Sequence, residues 1–177
     1  MLVMRIKQAQ TKTEIEEVRN LFREYEAFLD VDLCFQSFEV ELAGLPGNYS
    51  RPSGDLLIGL GEEKTVGCVA VRKFDDGVCE MKRLFVRPEV RGKGLGRQLA
   101  QEIIVIARKL GYSLMRLDTL DRLTEAMHLY EMLGFRRTEQ YYKNPLHGVV
   151  YWELELKEES AGQQAGPGGR TGFAYPI

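Results

Sequence analysis

The run Met81-Lys82-Arg83-Leu84-Phe85-Val86-Arg87-Pro88-Glu89-Val90-Arg91-Gly92-Lys93-Gly94-Leu95-Gly96-Arg97-Gln98-Leu99 decides the fold. A strand-like segment stops at Pro88, a glycine-rich turn follows, and the turn opens directly into a helix pattern. This layout gathers backbone N–H groups and the positive end of a helix at one place, which suits a phosphate. Glycines let the main chain approach such a ligand closely. Three of them at a helix start weaken the helix, so the pattern calls for a reason beyond folding.

Working downstream, Leu95, Leu99, Ile103, Ile106 and Leu110 share one helical face, and Gly111 is placed to stop that helix. Residues 113–119 then alternate as a strand. A strand–helix–strand unit needs a crossover, so its two strands are expected to be parallel. Upstream, strand-like runs over 55–62, 65–74 and 78–86 are joined by short turns at Glu63-Lys64 and Asp75-Asp76-Gly77. Such links predict antiparallel hairpins. Nearer the start, a strand is expected over 5–9. Ile15, Val18, Phe22, Tyr25 and Leu29 then mark a helix, capped by Thr11 or Thr13 with Glu14 or Glu16 closing a capping box. A second helix over 35–43 and a loop over 44–54 follow. Past the crossover come a helix over 123–133 ended by Gly134, and strands over 135–142 and 149–156. The sum is an α/β (α+β) domain: a mixed, largely antiparallel sheet of about seven strands with helices on both faces. Residues 1–157 form the single domain. Residues 158–177 lack an apolar period and are expected to be a disordered tail.

The chain has 177 residues, 44% of them hydrophobic and 28% charged, with a formal net charge of -2. That balance gives no bulk attraction to nucleic acid or an anionic membrane, so neither is expected as a partner. No apolar run approaches the ~20 residues of a membrane span. The N-terminal residues lack a signal-peptide layout. Cys34, Cys68 and Cys79 are odd in number and lack a C-x-x-C spacing, which argues for free thiols in a reducing cytoplasm. His128 and His147 have no neighbouring ligand pattern, so no metal is expected.

Three phosphate-binding patterns compete for the turn. A Walker A loop needs Ser or Thr after its Gly-Lys, but Leu95 follows Gly94. A Rossmann fingerprint needs Gly or Ala where this chain has Arg97 or Leu99. The spacing Arg91-x-x-Gly94-x-Gly96 instead resembles motif A of the GNAT superfamily, the N-acetyltransferases that use acetyl-CoA. The run Ala126-Met127-His128-Leu129-Tyr130-Glu131-Met132-Leu133-Gly134-Phe135 is similar to that superfamily's motif B. The lead-in Leu84-Phe85-Val86-Arg87-Pro88-Glu89 and the order of elements over residues 5–156 agree with it.

The resemblance implies a GNAT-like acyl-CoA N-acyltransferase fold with acetyl-CoA as cosubstrate and no metal. Amides of Arg91, Gly92, Lys93, Gly94, Leu95 and Gly96 would hold the pyrophosphate, with charge from Lys93 and Arg97. Backbone groups of Leu84, Phe85 and Val86 would hold the pantetheine arm in a gap between two parallel strands. Tyr130 would protonate the departing thiolate, and Glu80 stands where some members carry a general base. Many relatives have Asn three residues before the motif B alanine; Leu123 stands there, so that contact is not implied. The implied partner is a primary amine, met by direct attack in a ternary complex. The acceptor side is expected around residues 28–38, the loop over 45–54, and Tyr141-Tyr142-Lys143-Asn144. Asp30, Asp32, Glu39 and Glu41 are acidic groups there that either attract an amine or are simply solvated. A small amine such as an amino acid is the expected acceptor. A protein lysine or N-terminus, or a non-catalytic acyl-CoA-binding module, are the alternatives. The pattern leaves open whether the chain forms a homodimer.

Overall fold

The computed structural model describes residues 4–34, 37–62 and 64–156. Its elements in chain order are β1 (Arg5–Gln8), α1 (Lys12–Leu29), α2 (Phe38–Gly44), β2 (Asp55–Leu60), β3 (Thr65–Asp75) and β4 (Val78–Val86). Then come α3 (Leu95–Lys109), β5 (Leu114–Leu120), α4 (Thr124–Met132), β6 (Arg136–Thr138) and β7 (Val149–Glu155). The strands form one sheet in the order β1-β2-β3-β4-β5-β7-β6. Every neighbouring pair is antiparallel except β4 and β5, which flank the α3 crossover and run parallel.

Local chemistry explains the helix starts and stops. Thr11 caps α1: its hydroxyl accepts the Glu14 amide at 3.2 Å, and the Glu14 carboxylate accepts the Thr11 amide at 2.9 Å. Gly111, at φ +87°, ends the turn after α3 where a Cβ would strain the chain.

Two apolar cores flank the sheet. Helices α1 and α2 bury Val18, Phe22, Phe38 and Leu42 against Ile58, Cys68, Ala70 and Phe85. Helix α3 buries Leu99, Ile103 and Ala107 on the other face, with Val69, Met81, Met115 and Trp152. Each fully buried large side chain contributes roughly 1.5–3 kcal/mol. Gly67 lets α3 lie close: a Cβ there would meet the Phe85 carbonyl at 2.9 Å and Leu95 at 3.3 Å.

The sheet opens between β4 and β5. Their pairing covers only Val78↔Leu114, Cys79↔Met115 and Glu80↔Arg116. Just beyond, β4 carries a bulge, because Cys68↔Phe85 and Ala70↔Lys82 leave Arg83 and Leu84 opposite Val69 alone. Arg83 takes φ +58°. The bulge resets the alternation, so Met81, Leu84 and Val86 pack toward α3 while Phe85 packs toward α1.

Two expectations are corrected. The strand expected over 135–142 ends at Thr138, because Tyr141 and Tyr142 leave the sheet edge to donate hydrogen bonds to Glu80 and Asp118. Helix α2 starts at Phe38 rather than 35, and residues 35 and 36 lie outside the described residues, as does the expected tail over 158–177. Among the described residues, no helix is long and apolar enough to cross a membrane. Nor is there among them a group of three or more His, Cys, Asp or Glu side chains that could hold a metal ion.

Candidate active site

The turn before α3 is built to leave its amides free. Gly92 at φ +74° and Gly94 at φ +84° hold left-handed conformations, and a Cβ on either would meet nothing within 4 Å. The requirement at both is conformational. The first intrahelical bond of α3 runs from the Gln98 amide to the Gly94 carbonyl. Among the described residues, no backbone partner engages the amides of Gly92, Lys93, Gly94, Leu95 or Gly96. Gly94 caps the helix without a side chain. The result is an open nest of donors at a positive helix end. Arg91 closes one side: its Nε donates to the Val86 carbonyl at 2.9 Å, and its guanidinium lies 4.2 Å from the Phe28 ring centroid. These features fit the diphosphate of an acyl-CoA.

A cavity of about 850 Å³ runs from this turn into the gap between β4 and β5. Leu84, Phe85 and Val86 line it from β4, where the strand edge toward β5 has no strand partner. Helix α4 lines the opposite wall with Thr124, Ala126, Leu129 and Tyr130. Tyr130 is buried, its ring held edge-on by Phe135 at 5.7 Å and tilted on Trp152 at 6.4 Å. Among the described residues, its hydroxyl has no hydrogen-bond partner. Burial pushes that hydroxyl well above the ordinary phenol range, reinforcing the protonated form a phenol already has at neutral pH.

The inner end of the cavity is made of side chains from distant parts of the chain. Tyr25, Leu29 and Leu33 come from α1 and the segment after it, Lys82 and Arg83 from β4, Asp118 from β5, and Asn144 and Leu146 from the segment before β7. Lys82 Nζ lies 3.3 Å from Asp118 Oδ1. Asp118 Oδ2 accepts from the Tyr142 hydroxyl at 2.9 Å and from Asn144 Nδ2 at 3.2 Å. Arg83, left-handed at the bulge, forks onto Glu41 with bonds of 3.1 and 2.6 Å and stacks over Phe38. Burial pushes the Glu41 carboxyl up, but Arg83 outweighs it and holds it below the usual range.

The structure gathers most of the expected site residues. Arg91, Gly92, Gly94, Leu95, Gly96, Arg97, Leu84, Phe85, Val86 and Tyr130 all line the one cavity; Lys93 does not and is exposed. Glu80 does not line it either. Its side chain is 1% exposed. Its Oε1 accepts from Arg72 Nε and Nη2 at 3.0 and 2.7 Å, and its Oε2 from the Tyr141 hydroxyl at 2.9 Å. The loop expected to border the acceptor contributes Pro46, Gly47, Asn48 and Tyr49 to a separate hollow of about 270 Å³. Asp30, Asp32, Glu39 and Glu41 do not line the main cavity. Sequence reasoning passed over Asp118, Lys82 and Tyr25. The one available signal was Asp118 and Lys82 as charges within strand runs, which the neighbouring charges Glu80, Arg83 and Arg116 do not set apart.

A sheet parted between two parallel strands beside a glycine turn defines the acyl-CoA N-acyltransferase fold. The structure of yncA from Salmonella typhimurium with its cofactor acetyl-CoA shares that fold with a TM-score of 0.63 at 22% identity, covering 89% of this chain and 96% of that one. The model of the acetyltransferase (GNAT) family matches residues 15–135. An uncharacterised N-acetyltransferase of Schizosaccharomyces pombe is 47% identical over 147 residues, covering 82% of this chain and 90% of that protein. N-acetylaspartate synthetase of Danio rerio is 31% identical over 139 residues, covering 70% of this chain and 49% of that protein. The chain belongs to the GNAT acetyltransferase family and is an acetyl-CoA-dependent N-acetyltransferase.

Proposed function

We propose that the enzyme moves the acetyl group of acetyl-CoA to the primary amine of a small molecule, an amino acid or related metabolite, by direct attack in a ternary complex. One observation carries this reading: a single cavity joins the free-amide turn to an inner corner walled by buried side chains. A small acceptor suits such a corner better than a folded protein surface does. The similarity to N-acetylaspartate synthetase, named for an N-acetylated amino acid, supports the same acceptor class.

In this reading the amides of residues 91–96 bind the diphosphate, and Arg97 adds positive charge at the same helix end. Backbone groups of Leu84, Phe85 and Val86 hold the pantetheine arm along the unpaired β4 edge and present a donor to the thioester oxygen. Acetyl-CoA supplies the activated acyl group. The neutral amine attacks, and the Tyr130 hydroxyl gives its proton to the departing sulfur. Glu80 acts on this chemistry indirectly, by holding Tyr141 and balancing Arg72 and Lys82.

A thiol-release assay with acetyl-CoA tests the reading, run over free amino acids, ethylamine and a lysine-containing peptide. Turnover of a free amine at higher kcat/KM than the peptide is expected. Turnover of the peptide alone would reassign the acceptor to protein. Tight acetyl-CoA binding with no amine-dependent release would make the chain a binding module.

A further inference from the structure

The fork where β4 and β5 part is spanned by an ion pair. Backbone register pairs Glu80 with Arg116. Lys82 and Asp118 lie two residues further along each strand, where the backbones have separated, and their side chains meet across the opening at 3.3 Å. Both line the cavity, and the Asp118 side chain is 12% exposed.

Asp118 is held but not saturated. A carboxylate offers about four acceptor sites. Among the described residues, Oδ2 takes Tyr142 and Asn144, while Oδ1 takes only Lys82. The donors are themselves fixed: Asn144 Nδ2 also donates to the Tyr142 hydroxyl at 2.8 Å, and Asn144 Oδ1 accepts the Leu146 amide at 3.0 Å. One lone pair is left on a rigid carboxylate at the cavity wall. Burial pushes the Asp118 pKa up, but the Lys82 charge and the Tyr142 hydroxyl overcome this and hold the carboxyl below the usual carboxylate range. Its charge in turn acts on two tyrosines that line the cavity, Tyr25 on α1 and Tyr130 on α4. After burial and the opposing Arg83, it adds to pushing Tyr25 up to about 12, and it also raises Tyr130. Asp118 and Tyr130, the proposed acid, line the same cavity. Among the described residues, the other carboxylate lining the cavity, Glu125, is exposed on the first turn of α4.

We propose that Asp118 is the acceptor-binding carboxylate: its free lone pair takes a hydrogen bond from the incoming amine and stabilises the positive charge that the nitrogen acquires on attack. The proposal rests on the amine-acetylation reading above. As the nitrogen lone pair forms the C–N bond, the carbonyl π pair moves to oxygen and the nitrogen becomes cationic. The C–S bond then breaks, the thiolate takes the Tyr130 proton, and the surplus proton on nitrogen returns to Tyr130 directly or through water. A fixed anion beside that nitrogen favours the transition state over the neutral amine. Lys82 and Tyr142 are positioning residues that aim the carboxylate.

The test compares wild type, Asp118→Asn and Tyr142→Phe at varied acetyl-CoA and varied amine. Asp118→Asn is expected to lower kcat/KM for the amine about a hundredfold, with the acetyl-CoA KM within about twofold. Tyr142→Phe keeps the carboxylate and is expected to lower amine kcat/KM by less than about tenfold. An amine kcat/KM within about threefold of wild type in Asp118→Asn, or equal losses on both substrates, overturns the assignment. Should Asp118→Asn not fold, Asn144→Ala replaces it. A severalfold loss confined to the amine supports the contact, and no loss overturns it. If wild type acetylates no amine in the panel, the functional reading fails separately. Asp118 is then judged by titrating free amino acids and ethylamine into CoA-saturated protein. Binding weakened about tenfold in Asp118→Asn supports the contact, and equal or absent binding overturns it.

Discussion

The two halves of the cleft are made of different materials. The half at the turn is backbone: free amides, two left-handed glycines and a helix end. The proposed acceptor half is side chain: Lys82, Asp118 and Asn144, brought from β4, β5 and the segment before β7, with Tyr142 holding Asp118 from outside the cavity. A backbone site needs no particular side chain, only residues that allow the conformation, and it binds a ligand portion shared by every acyl-CoA. A side-chain site can be rewritten one residue at a time without disturbing the first. On the proposed reading, this division puts cosubstrate recognition and acceptor choice in separable structures, with Tyr130 at their border.

Changing the border residue should have the largest effect. Tyr130→Phe is expected to lower kcat by about a hundredfold or more, as losing a general acid does. Both KM values should stay close to wild type, since the hydroxyl has no hydrogen-bond partner among the described residues; an unchanged kcat would remove Tyr130 as the acid. Next comes the turn. Gly94→Val forces a β-branched residue to φ +84° and costs about 1–3 kcal/mol locally. The expected readout is an acetyl-CoA KM raised roughly tenfold to a hundredfold with amine preference intact. If the ranking of amines changed instead, the two halves would not be separable.

How much of this division is legible in the sequence follows from the same contrast. The turn is contiguous, so Arg91, Gly94 and Gly96 stand together as a motif, and strand, turn and helix follow in order. The crossover and the hairpins could likewise be read from link lengths. The acceptor corner could not, because the side chains of Lys82 and Asp118 meet only after the sheet has closed and then opened. The bulge at Arg83 and Leu84 is equally hidden. Plain alternation groups Met81 with Arg83 and Phe85, whereas the structure groups Met81 with Leu84 and Val86. Tyr141 and Tyr142 fit a strand by propensity, and buried carboxylates overrode it by drawing their hydroxyls inward. Glu80 was legible as a carboxylate on the key strand. Its two donors, Arg72 and Tyr141, were not.

Glu80 supplies the third, smaller test. Glu80→Gln leaves Arg72 without its charge partner and should lower unfolding free energy by about 2 kcal/mol. Amine kcat/KM should fall by no more than about tenfold, because the group acts through its neighbours. A loss of about a hundredfold with stability preserved would instead make Glu80 the base itself. The smallest effect lies outside both halves. Lys7, with the amides of Thr11 and Gln10, lowers the Glu14 pKa to about 2. A carboxyl lowered on folding stabilises the protein above its unfolded value of about 4.3, and the gain disappears as pH falls toward the folded value. Glu14→Ala should therefore cost about 1 kcal/mol at neutral pH. That difference should narrow in thermal melts as pH drops from about 5 toward 2, with neither KM altered.

The most direct measurement follows backbone amide resonances while CoA is added to the isotope-labelled protein. The amides of Gly92, Gly94 and Gly96 should shift most, and the Asn144 side-chain amide should stay still until an amine is added. CoA binding that leaves those glycine amides unmoved, or no binding at millimolar CoA, would contradict the account.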